Sequence, residues 1–159
     1  MQSYAYNDQR TKLHDEALSN MGFELLHSDE KNVVYKNSNG NIQWGIAGSE
    51  SYSDYYTGAK LFISSSPSDD FQKYSKNIEK IYKQLREENP EGRIFVAAHS
   101  LGGALAKTLL QKYPDDEYIR VDGFNSAPSA VSHKDKRYFS YTSSFDPVSM
   151  LEDKQVFPD

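Results

Sequence analysis

Apolar residues recur with two different periods in the first part of the chain. Residues 8–20 carry Leu13, Ala17 and Leu18 on one face of a helical repeat and stop before Gly22, which predicts a short amphipathic helix. Residues 23–48 alternate more rapidly and predict two or three short strands. An Asn-Gly pair at positions 39 and 40 indicates a hairpin turn between them. The opening of the chain is therefore predicted to be antiparallel.

The pattern from Pro67 onward is that of strands alternating with helices. Apolar residues three and four apart predict a long helix from Pro67 to Asn89, behind an acidic start at residues 68–70: Phe71, Tyr74, Ile78, Ile81, Tyr82 and Leu85. The continuous run "GRIFVAA" predicts a strand buried on both faces, followed by a helix from Ser100 to about Tyr113. "YIRVDGFNS" and "RYFSYTSSF" predict two more strands. The expected fold class is α/β, with a mostly parallel sheet, right-handed crossovers and helices on both faces.

Length and charge limit what this chain can be. Its 159 residues predict one domain, spanning 1–159, and 21 aromatic residues supply a core despite a mean hydropathy of -0.77. A net charge of -5 without a basic stripe argues against nucleic-acid binding. Without cysteine, thiolate chemistry and disulfides are excluded. Without a signal peptide or a long apolar run, we expect a soluble protein, cytoplasmic or part of an assembly, with no stable membrane anchor.

The stretch "VAAHSLGGALA", residues 96–106, places Ser100 between a predicted strand and a predicted helix. Ser100 could be an ordinary helix N-cap, but a phosphate-binding loop is disfavoured because the required lysine is absent. A nucleophile elbow needs small residues around the serine, and the stretch supplies Ala98, Gly102 and Gly103. In that interpretation the Leu101 amide is one oxyanion donor, while the neighbouring His99 is interpreted as a packing residue.

"AHSLGGALAKTLL" resembles the elbow of the class-three, fungal-type lipases of the α/β-hydrolase fold, and the resemblance spans residues 42–151. It implies a serine ester hydrolase that needs no cofactor or metal and acts on an acyl ester or lipid. It also implies that Ser49 is the second oxyanion donor and that Asp146, in "SFDPVSML", is the catalytic acid. Residues 50–67 correspond to a lid or to a loop that covers the core. Two departures are Ala47 in place of an arginine and Ala98 in place of the first elbow glycine.

The third departure concerns the catalytic base, because no histidine follows Asp146. His14 and His27 are expected to be surface or core residues, whereas His133 lies in a loop after a parallel strand, at the sheet edge where sites form. His133 is then either a relocated base or an exposed loop histidine. The other accounts are a base from a partner chain, a truncated fold, or a lipase-like domain that has lost hydrolysis. Such a domain would bind a protein partner at its C-terminal sheet edge. Alternatively, it would hold an acyl chain in an apolar pocket without hydrolysing it.

Overall fold

The computed structural model describes residues 7–48, 69–127 and 135–143. The elements in chain order are α1 (Asn7–Asn20), β1 (Phe23–Ser28), β2 (Asn32–Asn37), β3 (Ile42–Ile46), α2 (Asp69–Glu88), β4 (Ile94–His99), α3 (Leu101–Lys112), β5 (Ile119–Phe124) and β6 (Tyr138–Tyr141). Every predicted helix and strand in the described ranges is present, with ends shifted by a few residues.

The six strands form one sheet in which spatial order equals chain order. β1, β2 and β3 pair antiparallel, and β3 to β6 pair parallel. The hairpin between β2 and β3 closes at Gly40, whose φ of +80° is accessible to glycine at little cost. The predicted fold class is confirmed: an α/β chain with an antiparallel beginning and a mostly parallel sheet.

One face of the sheet is the hydrophobic core. Val34, Trp44, Val96 and Val121 lie opposite one another on four adjacent strands, and each is at most 2% exposed. Because side chains alternate along a strand, every second residue of these strands points to the same side. The buried stripes of α2 and α3 pack on this face, so both helices lie on one side of the sheet.

The opposite face is largely open over β4 to β6, and this corrects the prediction of a strand buried on both faces. In β4, Ala97 and His99 are exposed and Phe95 is half-buried, while their neighbours are buried. An apolar run does not reveal which residues alternate outward, because alanine and phenylalanine are tolerated on either face. Three aromatic side chains continue this open face across β5 and β6: Phe124, Phe139 and Tyr141, each between 41% and 46% exposed.

α1 lies on the side opposite to α2 and α3. Tyr35 points away from the face that carries Val34, and its hydroxyl donates to Asp15 of α1. Burial and that carboxylate together raise the pKa of Tyr35 to about 12. The helix is where the sequence predicts it, but Leu13, expected on a buried face, is 66% exposed. Among the described residues, no helix is both long and apolar enough to cross a membrane.

The turn between β1 and β2 is organised by one carboxylate. Asp29 accepts hydrogen bonds from the backbone amides of Lys31 and Asn32 and from the side chain of Asn77 on α2. Burial alone would raise the pKa of Asp29, but these bonds and one from His27 outweigh it and hold that pKa well below its usual range. The turn is thereby fixed to α2, and Lys31 is directed inward.

Candidate active site

Ser100 occupies a strained corner between β4 and α3. Its φ of 55° and ψ of -119° lie in a region that residues with a side chain rarely adopt, and the serine is only 6% exposed. An N-cap serine has extended backbone angles and a hydroxyl bonded to the first turn, whereas this hydroxyl makes no capping hydrogen bond. The N-cap interpretation therefore fails. A sharp, strained strand-to-helix turn is the local geometry that a nucleophile elbow requires.

The two glycines after Ser100 allow α3 to approach the sheet. A Cβ atom at Gly102 would lie 2.5 Å from the Ile46 carbonyl oxygen, and one at Gly103 would lie 2.1 Å from Ser126 Oγ. Both distances are shorter than real Cβ contacts. The small residues at these positions are thus required by contacts with β3 and with the segment after β5, not by backbone freedom.

A third glycine packs directly against the serine from the end of β3. A Cβ at Gly48 would lie 2.7 Å from Ser100 Cβ and 3.3 Å from His99 Nδ1. The segment that follows β3 therefore passes beside the elbow with no room for a side chain. On the other side, the Ser100 amide donates to the Phe124 carbonyl at 3.1 Å. The Ser100 carbonyl accepts from the Ala127 amide at 2.9 Å. The elbow is held between two neighbouring strand ends.

The N-terminus of α3 supplies hydrogen-bond donors at this corner. The first amides of a helix have no intrahelical acceptor, and the helix dipole places partial positive charge there. Leu101 is the first residue of α3, and its amide comes directly after Ser100. This end of the helix can therefore stabilise negative charge that develops on an atom attacked by the serine.

Beneath the elbow lies a small buried polar cluster that the sequence analysis missed. The hydroxyls of Ser126 and Tyr138 are hydrogen-bonded, and the Lys107 ammonium lies 4.7 Å from the centroid of the Tyr138 ring. Lys107 is 2% exposed and Ser126 is fully buried. The cluster joins α3 to β6 behind Gly103. No sequence signal marks it as a cluster, because Lys107, Ser126 and Tyr138 are far apart in the chain and only folding brings them together.

Of the four histidines, His27, His99 and His133 bear on the search for a base. His99, predicted to be a packing residue, is exposed because it alternates outward from the buried Ala98. His27 lies 2.8 Å from Asp29 Oδ2 in the first hairpin. Since β1 is three strand spacings from β4, about 14 Å, His27 is too distant to serve Ser100. His133 lies outside the described residues, as do Ser49, Asp146 and the whole lid-like segment 50–67.

Lys31 is a buried cation that the sequence did not single out. It is 7% exposed, and its ammonium donates to the Gly48 carbonyl at 2.8 Å. The ring centroid of Tyr74 on α2 is 5.5 Å from the same nitrogen. A lysine in the polar stretch "SDEKN" ordinarily predicts a solvated turn, so only the folded structure shows it beside the elbow. In the described parts of the chain, no group of three or more potential metal ligands is present.

Comparison with protein families finds one match. The model described as serine aminopeptidase, S33, a hydrolase family, matches residues 64–141. The matched segment is slightly less than half of the chain, and it includes Ser100 and the elements from α2 to β6. No curated protein matches the sequence. The match supports a hydrolase-like α/β fold for this segment.

Solved structures similar to this chain include three fungal lipases. The lipase from Rhizopus microsporus var. chinensis is 14% identical, with a TM-score of 0.48, over 67% of this chain and 45% of that one. A fungal lipase–inhibitor complex is 16% identical, with a TM-score of 0.48, over 68% and 50%. Lipase II from Rhizopus niveus is 16% identical, with a TM-score of 0.49, over 67% and 49%. The chain thus spans about half the length of these structures.

Proposed function

We propose that this protein is a serine hydrolase of carboxylic esters in which Ser100 is the nucleophile. The observation that carries the proposal is the backbone of Ser100, strained at φ 55° and ψ -119° without a capping hydrogen bond. Such strain costs about 1–3 kcal/mol and persists where the surroundings impose it, often at functional sites. Three glycines that admit no Cβ, Gly48, Gly102 and Gly103, keep the neighbouring segments close enough to impose it.

In the proposed reaction the Ser100 oxygen attacks the acyl carbon while its proton passes to a base. The resulting oxyanion accepts hydrogen bonds from the Leu101 amide and from the amide and hydroxyl of Ser49, a residue assigned here by the resemblance to fungal-type lipases. Collapse of this intermediate breaks the ester bond, and the departing alcohol takes the proton from the base. Water, activated by the same base, then attacks the acyl-serine, releases the acid and restores the hydroxyl.

The base is proposed to be His133, oriented by Asp146. Among the described residues, neither His27 nor His99 suits this role, because one is distant and the other points to the opposite face of the strand from Ala98. His133 is the histidine that follows a parallel strand, β5, whose carboxyl end lies beside the Ser100 amide. By chain order, a loop after a parallel strand is expected at the sheet edge at which the elbow stands, and this expectation supports the assignment.

The test is labelling with a fluorophosphonate probe, followed by intact mass measurement. We expect one adduct on the wild-type protein and none on Ser100→Ala. Ser140→Ala, which removes an exposed serine of β6, is the matched control and should keep the adduct. Loss of the adduct in His133→Ala would support the relocated base. An unlabelled wild-type protein, or an adduct that persists in Ser100→Ala, would overturn the proposal.

Substrate class can be tested with the same protein. We expect turnover of p-nitrophenyl butyrate and no turnover of aminoacyl p-nitroanilides, because the stretch "AHSLGGALAKTLL" resembles the elbow of fungal-type lipases, which hydrolyse esters. The family model that matches residues 64–141 bears the name of an aminopeptidase. Faster turnover of the anilides than of the ester would move the proposal from esters to peptides while leaving Ser100 as the nucleophile.

The second candidate is a lipase-like domain that no longer hydrolyses esters and serves as a binding part of an assembly. It is favoured by three exposed aromatic residues, Phe124, Phe139 and Tyr141. The rings of Phe124 and Tyr141 stack on each other with their centroids 5.2 Å apart. In the described sheet β6 is an edge strand, which can pair with another chain. Light scattering coupled to size exclusion tests this candidate. A monomer that takes up the probe would count against it.

A further inference from the structure

We infer that Lys31 is a positioning residue for the oxyanion site: its ammonium fixes and polarises the peptide unit that follows Gly48. The inference rests on the proposed function and deepens it. Lys31 is buried, and its nitrogen donates to the Gly48 carbonyl across 17 residues of sequence. Gly48 in turn packs against Ser100, because a Cβ atom at Gly48 would lie 2.7 Å from Ser100 Cβ. A positive charge is thus linked to the elbow by a single peptide unit.

The peptide unit itself explains why this charge matters. The Gly48 carbonyl carbon is bonded to the amide nitrogen of Ser49, and both belong to one planar, conjugated group. Ser49 lies outside the described residues, so only this covalent bond is used. A cation bonded to the carbonyl oxygen draws electron density from the nitrogen, which makes its N–H a stronger donor. That N–H is one of the donors the proposed function assigns to the oxyanion.

The surroundings of Lys31 keep its charge directed at this carbonyl. Within the described residues, no carboxylate lies within salt-bridge distance of the ammonium, and the Tyr74 ring provides a cation–π contact at 5.5 Å. The Lys31 amide is held by Asp29, and the Lys31 carbonyl accepts from Ala47 N at 2.8 Å. Side chain and backbone of Lys31 therefore bind two consecutive residues, Ala47 and Gly48.

Arg86 offers a matched control at the other end of the sheet. It too is a largely buried cation that donates to a backbone carbonyl, that of Gly92, at 2.6 Å, and lies 5.7 Å from the centroid of a tyrosine ring, Tyr82. Gly92 precedes β4, whereas Ser100 follows it. Arg86 also pairs with Asp116, so its removal should cost at least as much stability as the removal of Lys31.

The experiment compares the wild-type protein with Lys31→Met, Lys31→Gln and Arg86→Met. The rate constant for fluorophosphonate labelling and the kcat and KM for p-nitrophenyl butyrate are measured at a temperature where circular dichroism shows each variant folded. Loss of a whole oxyanion donor costs about 100- to 1000-fold, so a weakened donor should cost on the order of 10-fold. We expect Lys31→Met to lower the labelling rate and kcat by about that factor, with KM changed less than about 2-fold.

The glutamine variant separates charge from hydrogen bonding, because it can still donate to the carbonyl. Its labelling rate and kcat should lie between those of the wild type and of Lys31→Met. This variant also decides the question if the methionine variant does not fold. Arg86→Met should melt at a lower temperature and label at the wild-type rate. Wild-type rates in both Lys31 variants, or an equal slowing in Arg86→Met, would overturn the inference and leave the nucleophile intact. An unlabelled wild-type protein would overturn both proposals together.

Discussion

Ser100 holds a backbone conformation that its own side chain disfavours. At φ 55° and ψ -119° a Cβ atom crowds the neighbouring peptide groups, and only glycine adopts such angles without cost. Nothing in the packing of the core demands a hydroxyl here, because that hydroxyl makes no capping hydrogen bond. A serine at this position therefore carries a backbone strain that a glycine would not, and its proposed role as nucleophile accounts for that strain.

Replacing this serine by glycine should stabilise the fold. Ser100→Gly removes the strain but adds unfolded-state entropy, for a net gain of about 1 kcal/mol, or about 3 °C in Tm. Ser100→Ala keeps the Cβ atom and should melt within about 1 °C of wild type. Differential scanning calorimetry of the three proteins measures both effects. Equal melting temperatures for the glycine and alanine variants would show that the backbone is not strained.

The space around Gly102 leads to the opposite expectation. A Cβ atom there would meet the Ile46 carbonyl at 2.5 Å, and a backbone oxygen within a sheet cannot move aside as a side chain can. Gly102→Ala should therefore cost about 1–3 kcal/mol in the free energy of unfolding. Denaturant titration checks this, with Gln111→Ala on the exposed side of α3 as a control expected to change stability by less than about 0.5 kcal/mol. Equal stabilities would mean that α3 can shift away from β3.

The sequence predicts those parts of the site whose residues are close together along the chain. Ser100, Leu101, Gly102 and Gly103 are contiguous, so their spacing alone indicates a turn between strand and helix. The contact between Lys31 and Gly48 depends on the register of the β2–β3 hairpin and on the turn fixed by Asp29. Those features are products of folding, and a single sequence carries no local signal for them.

At the scale of elements, α2 and α3 are joined by one carboxylate outside the core. Glu79 of α2 accepts from Lys112 at 2.6 Å and from Tyr113 at 3.0 Å, both at the end of α3, and it pairs with Lys83 one turn further along α2. Hydrogen bonds from Lys112, Lys83 and Tyr113 lower the pKa of Glu79 to about 2. The ionised form is therefore the one that holds the two helices together.

Acid should weaken this connection in a defined range. The pKa of Glu79 is lower in the folded state than its ordinary value near 4.5, so its contribution is complete above that value and is lost as pH falls toward about 2. Between pH 5 and pH 2.5, the Tm of Glu79→Gln should therefore fall by less than the Tm of the wild-type protein. Thermal melts across this range measure the difference, and Glu87→Gln, an exposed position on α2, is the control. Parallel curves for wild type and Glu79→Gln would contradict the assignment.

The period and length of the apolar pattern predict the helices and strands well. They do not predict which face of an element is covered by other parts of the fold. The 20 residues of α2 repeat apolar positions over five turns, so helix and buried stripe follow together. In β4 the run of apolar residues hides an alternation in which Ala97 faces outward. In α1 the spacing of Leu13 predicts a buried face that the fold leaves exposed. Burial depends on what packs against an element, which the element's own sequence does not encode.

The described residues share one hydrophobic core, and the only tryptophan of the sequence lies within it. Trp44 is 1% exposed on β3, and its indole donates to Asn32 Oδ1 at 3.0 Å, so its fluorescence reports on the middle of the sheet. Circular dichroism follows helix content, and α2 and α3 contribute 20 and 12 residues to the described helices, against 14 from α1. The two probes therefore follow different layers of the same hydrophobic cluster.

A single cooperative domain, as the chain length predicts, should lose both layers at once. In guanidinium titrations we expect tryptophan fluorescence and far-ultraviolet ellipticity to give one shared midpoint, because α2 and α3 bury their apolar stripes on the strands that surround Trp44. Val34→Ala opens a cavity beside Trp44 at the centre of the core and should lower the free energy of unfolding by about 2 kcal/mol. Both probes should then shift to the same lower midpoint. Separate midpoints would show that the helical layer unfolds apart from the sheet around Trp44, and would replace one cooperative unit by two.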